Sequence, residues 1–225
     1  MIILGIDTSC DDTSLALIDR DRRILAHIIS SQADLHGLFG GVVPEIASRK
    51  HVELIDGIYN DVLEKAGISA GDIDLVGVTS GPGLIGSVLV GLSFAKGLCL
   101  AGNIPLIGVN HVEAHAMSIF LEREAEFPFV ALVVSGGHTI ILAFDAPCSF
   151  KVIGSTLDDA AGEAFDKIAK FLGLGYPGGR IIEEMARTGS PDHVAFPRPM
   201  MDDAGCNFSF SGLKTAFITY AKKHP

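Results

Sequence analysis

Ile2-Ile3-Leu4-Gly5-Ile6, then the polar run Asp7-Thr8-Ser9-Cys10-Asp11-Asp12, then Thr13-Ser14-Leu15-Ala16-Leu17-Ile18-Asp19, reads as two strands joined by a turn. Alternation and branched residues favour strand over helix here, and a third strand follows from Arg23 to Ser30. The pattern returns further on. A strand from Val130 to Val134 turns at Gly136-Gly137 and comes back as Thr139-Ile140-Ile141-Leu142-Ala143-Phe144-Asp145. In both places a Thr follows the turn, an apolar strand comes next, and an Asp closes it six residues later. So short a match arises by chance between hairpins, but it also suits two related lobes. Between the hairpins, Ile46, Val52, Ile55, Ile58, Tyr59, Val62 and Leu63 recur at helical spacing from Glu45 to Ala66, with Gly67 as the stop. A strand Leu75 to Thr79, the loop Ser80-Gly81-Pro82-Gly83, a helix of small and apolar residues to about Gly102, and a strand Pro105 to Val109 follow. This order predicts two lobes, 1–127 and 128–225, facing a cleft with both hairpin turns pointing inward.

The 225 residues are 48% hydrophobic with a mean hydropathy of +0.40, enough for a sizeable core. The apolar stretch Leu84 to Ala95 is expected to fall short of the roughly 18 residues of a membrane span. Met1-Ile2-Ile3-Leu4 meets Asp7 with no basic n-region, so a cytoplasmic location and no membrane are expected. Cys10, Cys99, Cys148 and Cys206 are scattered without a Cys-x-x-Cys pair, against a disulfide framework or a thiolate zinc site. The net charge of −10 is uneven: residues 1–166 carry 9 basic and 22 acidic side chains, residues 167–225 carry 8 and 5. A local basic surface and an ordinary mixed surface both fit that asymmetry.

His111 and His115, in Asn110-His111-Val112-Glu113-Ala114-His115, lie on one face of a helix and can grip one metal ion. The pair alone is suggestive, since this spacing also occurs by chance. The zinc-protease arrangement is absent, because its general-base Glu directly follows the first His and that position is Val112. In Val133-Val134-Ser135-Gly136-Gly137-His138-Thr139 the two glycines leave amides open to a phosphate or carbonyl oxygen, or simply form a hairpin turn. Asp11 and Asp12 are placed to hold a metal or orient a reacting group, or are ordinary turn residues. The acidic run from Asp158 starts a helix whose dipole accounts for most of its acids. Asp166 lies too deep in that helix to be explained so. Tyr176-Pro177-Gly178-Gly179 makes a second glycine loop leading into a helix.

Taken together, these segments resemble the TsaD family of tRNA threonylcarbamoyladenosine transferases. The likeness also includes Gly40-Gly41-Val42-Val43-Pro44-Glu45-Ile46-Ala47-Ser48-Arg49 and Phe208-Ser209-Phe210-Ser211-Gly212-Leu213-Lys214-Thr215, and it spans essentially the whole chain. The resemblance implies an α/β, actin-like and Hsp70-like (ribonuclease H-like) two-lobed ATPase fold with the second lobe incomplete. It implies transfer of a threonylcarbamoyl group from threonylcarbamoyl-AMP to N6 of the adenosine 3′ of the anticodon. By the same resemblance His111 and His115 bind one divalent metal ion, iron or zinc. Val133, Val134, Ser135, Gly136 and Gly137 hold the phosphate or carbamoyl part, Asp166, Gly179 and Glu183 contact the nucleoside, and ATP or AMP is an alternative ligand. Asp11, Asp12 and His138 are expected at the catalytic centre, with Asp12 where the family more often has Glu. The implied partners are tRNA, a TsaB-type paralogue and a TsaE-type ATPase. Family members are about half as long again, and their extra segment supplies a third metal ligand and a nucleoside-site asparagine without counterparts here. Two other classes remain: a noncatalytic scaffold of the TsaB type, and an ATPase or sugar kinase of the same superfamily.

Overall fold

The computed structural model describes residues 1–224. The chain divides into two units, Met1–Arg123 and Glu124–Pro225.

In the first unit, β1 (Ile2–Asp7), β2 (Asp12–Asp19), β3 (Ile24–Ser31), β4 (Leu75–Gly81) and β5 (Leu106–Asn110) form one sheet in the order β3-β2-β1-β4-β5. The first three strands run antiparallel, as the opening hairpin requires, whereas β4 and β5 are parallel to β1. Helix α1 (Ala33–Gly37) was not foreseen; α2 (Pro44–Ala66), α3 (Ile85–Gly102) and α4 (His111–Met117) occupy the expected places. Pro44 opens α2 and Gly67 closes it at φ 68°, the left-handed cap that glycine adopts without a Cβ penalty. Ile55, Ile58, Tyr59 and Val62 of α2 face Leu4, Ile6, Leu15, Leu17, Val76 and Val78 of the sheet. Each fully buried aliphatic side chain contributes roughly 1.5–3 kcal/mol.

Helix α3 corrects one expectation. It runs to Gly102, so its 18 residues are long and apolar enough, by length and composition, to cross a membrane, where the apolar stretch Leu84 to Ala95 alone is too short. Its inward face is the small-residue stripe Ser87, Gly91, Ala95 and Cys99. Thr8 Oγ1 donates to the Ser87 carbonyl at 2.7 Å and accepts the Gly91 amide at 3.2 Å. A Cβ at position 91 would stand 2.5 Å from that oxygen, so glycine is what lets the helix approach the turn after β1.

The second unit begins with β6 (Phe129–Val134), β7 (Thr139–Ala146) and β8 (Ser149–Ser155), an antiparallel meander in that order. Each unit therefore opens with three consecutive antiparallel strands, and the Thr-to-Asp match of the sequence falls on β2 and β7. β8 was not foreseen. Phe144 and Leu142 of β7 are fully buried, and Phe129 stacks on Phe144 at 4.9 Å. Helices α5 (Ala161–Leu172), α6 (Gly178–Ala186) and α7 (Ser211–Lys223) follow. The segment before α7 pairs with the end of β8, Phe208 N–H donating to Ser155 O at 3.0 Å and Leu157 N–H to Phe208 O at 2.9 Å.

Candidate functional site

Because β1, β4 and β5 are parallel, β1 and β5 end on the same edge, at Asp7 and Asn110. The Asn110 side chain accepts the Val112 and Glu113 amides at 2.9 and 3.1 Å, an N-cap that starts α4 at His111. One helical turn then brings His111 and His115 together, with ring centroids 4.5 Å apart and their Nε2 atoms at 3.2 Å. On its other side His111 Nδ1 lies 2.9 Å from Asp7 Oδ2 and 3.1 Å from Ser9 Oγ. Burial pushes the Asp7 carboxyl up, but hydrogen bonds with His111 and from Ser9 outweigh it and leave the pKa below the ordinary value. Ionised, Asp7 can only accept, which assigns the proton to His111 Nδ1 and leaves the Nε2 lone pair directed at His115. Burial, and secondarily the neighbouring His111, lowers the His115 pKa, favouring the neutral ring.

Two nitrogens each ~2.0–2.1 Å from a tetrahedral ion lie about 3.3 Å apart, so the 3.2 Å gap fits one edge of such a site. A carboxylate behind a ligating imidazole is the usual orienting partner. Among the described residues, however, no group of three or more His, Cys, Asp or Glu gathers to hold a metal ion. The spacing of the histidine pair fits part of a metal site, of which it would form two ligands.

The Asp11 carbonyl accepts the Gln32 amide at 3.2 Å, and Asp12 begins β2 opposite Ser31 with its side chain exposed. The carboxylate at the imidazoles is Asp7, the first residue of the polar turn in the sequence. Its signal was topological: a residue at the C-terminal end of one parallel strand shares an edge with the end of the next. Nearby, buried His51 accepts from Thr13 Oγ1 at Nδ1 (2.8 Å) and donates from Nε2 to Cys10 O (3.0 Å), a fully used core histidine whose pKa burial lowers. Burial and Asp11 push the Cys10 thiol up to about 12, so it is no nucleophile near neutral pH.

In the second unit, Ser135 and His138 close the glycine turn: Ser135 N–H donates to His138 O at 2.8 Å, and His138 N–H to Ser135 Oγ at 3.0 Å. Val133 is buried and Val134 is half exposed, as strand alternation requires. Neither Gly136 nor Gly137 has φ in the left-handed region, and a Cβ on either would meet nothing within 4 Å. Neither packing nor conformation demands glycine there, and among the described residues the two amides have no hydrogen-bond partner. The N-terminus of α5 abuts this turn: Gly162 N–H donates to Ser135 O at 3.2 Å and Ala161 N–H to Thr139 Oγ1 at 2.9 Å. A Cβ on Gly162 would lie 2.6 Å from Ser135 O. Asp166 Oδ1 accepts the Gly178 amide at 2.7 Å, so this carboxylate, unexplained by the helix dipole, holds the glycine loop at the start of α6. Gly179 lies in the first turn of α6, where a Cβ would meet only Phe165 Cβ at 4.0 Å, and Glu183 pairs with Arg187 at 3.5 Å on an exposed face.

Residues 23–223 match the family described as TsaD: tRNA N6-adenosine threonylcarbamoyltransferase. The chain belongs to the TsaD family. Among its curated TsaD relatives, the tRNA N6-adenosine threonylcarbamoyltransferase of Pelobacter propionicus is 56% identical over 225 residues, all of this chain and 66% of that protein. The one from Nitratidesulfovibrio vulgaris is also 56% identical over the whole chain, which covers 62% of it. The chain thus spans just under two thirds of the length of these relatives. Among solved structures, component A of the Acidaminococcus fermentans (R)-2-hydroxyglutaryl-CoA dehydratase aligns over 100% of this chain and 70% of its own, with a TM-score of 0.55 at 14% identity. The activator of the Clostridium difficile 2-hydroxyisocaproyl-CoA dehydratase, solved with bound ADPNP, gives a TM-score of 0.54 at 14% identity, over 100% of this chain and 67% of its own. At that identity the likeness concerns the fold, which is α/β and of the actin-like ATPase class.

Proposed function

We propose that this TsaD-family chain serves in an acyltransferase that moves the threonylcarbamoyl group from threonylcarbamoyl-AMP to N6 of the adenosine 3′ of the anticodon in tRNA. The observation that carries the reading is the pair of convergent Nε2 atoms of His111 and His115, backed by Asp7 and set at 3.2 Å. They would hold one divalent ion, iron or zinc, which when bound supplies Lewis-acid polarisation of the acyl and phosphate oxygens. The free Gly136 and Gly137 amides, beside the positive end of α5, suit the phosphate or carbamoyl part of the substrate and the negative charge that develops there. In the transfer, N6 bonds to the carbamoyl carbon, the bond from that carbon to the phosphate oxygen breaks, and AMP leaves with its electron pair. The proton from N6 goes to a base, a role that falls to His138, Asp11 or Asp12. The glycine loop that Asp166 holds, with Gly179 and Glu183, receives the nucleoside.

The family resemblance puts a third metal ligand and a nucleoside-site asparagine in a segment without counterpart in these residues. These 225 residues alone are therefore expected to bind metal and adenylate weakly. A TsaB-type paralogue and a TsaE-type ATPase are the proposed partners, and the exposed Val52, Ile85 and Leu89 of α2 and α3 offer the first of them an apolar surface. A substrate of this kind places the work in the cytoplasm. The test combines the gene's full-length product, these partners, threonylcarbamoyl-AMP and unmodified tRNA, with mass spectrometry of the nucleosides. A mass gain on adenosine with AMP release is expected; ADP formation without that gain would instead indicate a kinase or ATPase.

A further inference from the structure

In the second unit, two consecutive carboxylates tie three elements together. Asp158 accepts Ser209 Oγ at 2.6 Å and the Phe210 and Ser211 amides at 2.8 and 3.2 Å, which fixes the start of α7. Asp159, only 8% exposed, binds Lys167 of α5 at 2.6 Å through one oxygen and Lys214 of α7 through the other. Lys167 also pairs with Glu163 at 2.9 Å, so the four charges cancel. Asp159's own carbonyl accepts Thr156 Oγ1 at 2.6 Å, which anchors its backbone to the end of β8. Three residues further on, Gly162 donates to Ser135 O and packs on Gly136. The first turn of α5 is thus held from behind by Lys214 and presses forward on the glycine turn.

We infer that Asp159 is a positioning residue for the phosphate-holding turn, clamping the N-terminus of α5 between Lys214 of α7 and the Ser135–Gly137 bend. The inference rests on the reading of that bend as the place where the phosphate or carbamoyl part of the ligand is held. Asp159 itself touches no ligand. Loss of the clamp loosens the alignment of the Gly136 and Gly137 amides while leaving the nucleoside contacts of α6 in place, because Asp166, farther along α5 than the turn that presses on Ser135, keeps its own bond to the Gly178 amide. The effect therefore depends on whether the ligand carries a phosphate.

Calorimetric titration of AMP and of adenosine into the gene's full-length product and its Asp159→Asn, Asp159→Glu and Lys214→Met variants tests this. The expected result is AMP affinity weakened ~10-fold in Asp159→Asn and Lys214→Met, as small misplacements of binding groups produce, with adenosine affinity unchanged and partial recovery in Asp159→Glu. Lys214→Met keeps the Asp159–Lys167 pair and reports on the clamp even if Asp159→Asn does not fold. Equal loss for AMP and adenosine would make the network a general stabiliser and overturn the inference, as would no loss for either. A parent protein that does not prefer AMP to adenosine would overturn the reading of the glycine turn itself.

Discussion

One proton decides what His111 offers. Held on Nδ1 by Asp7 at 2.9 Å, it leaves Nε2 free as a ligand; without Asp7 the ring can take the other tautomer and turn. Asp7→Asn in the full-length product is therefore expected to weaken metal binding ~10–100-fold, read by competition with a chelator, and an unchanged affinity would remove Asp7 from this role. Asp159 gives a prediction in pH. Burial would raise its pKa, but the bonds from Lys167, Lys214 and Ser211 hold it at about 2, against 3.8 for the free group. The unfolded chain thus takes up its proton first as the solution is acidified. The stabilisation is fully present above pH 3.8 and is lost as pH falls through about 2; it amounts to about 2 kcal/mol. The gap in unfolding free energy between the parent and Asp159→Asn should narrow by that amount between pH 6 and pH 2, and a constant gap would contradict the assignment. The imidazole pair was legible in the sequence because helical spacing is local. Asp7 was not, because its partner lies 104 residues away and only the sheet order brings them together.

At the level of elements, glycine marks where one piece leans on another. Gly162→Ala would put a methyl 2.6 Å from Ser135 O and 2.8 Å from Gly136 Cα, both backbone atoms with little room to yield. A loss of about 1–3 kcal/mol in unfolding free energy is expected, measured by urea titration, while an alanine tolerated at no cost would show that α5 does not press on the turn. The opening strands and α2 were legible because alternation and an apolar stripe follow from which faces are buried. Helix α3 was harder. Its inward stripe Ser87, Gly91, Ala95, Cys99 is small rather than large, while Ile85, Leu89 and Leu100 are exposed, so the sequence showed its presence and its end near Gly102 but not which face turns inward. β8 escaped because its apolar residues Phe150, Val152 and Ile153 do not alternate cleanly and Val152 and Ile153 are both exposed, a weak pattern after a turn with Cys148 at φ 58°.

Across the whole molecule, each unit repeats the same three-strand opening and carries its own cluster: paired imidazoles in residues 1–123, a glycine turn under a helix N-terminus in 124–225. The short Thr-to-Asp match in the sequence already pointed to that duplication, and family likeness extended it to function. What the sequence left open was which carboxylates do which work. Asp158, Asp159 and Asp166 all stand in one acidic run, yet the structure gives them a helix cap, a lysine clamp and a loop anchor, and only three-dimensional neighbours separate those roles. The most direct measurement is the metal content of the full-length gene product and of its His111→Ala and His115→Ala variants, alongside threonylcarbamoyl transfer to tRNA by each. One bound ion per parent chain, with ion and transfer lost together in both variants, is the predicted result; full transfer by a variant that has lost its metal would contradict it.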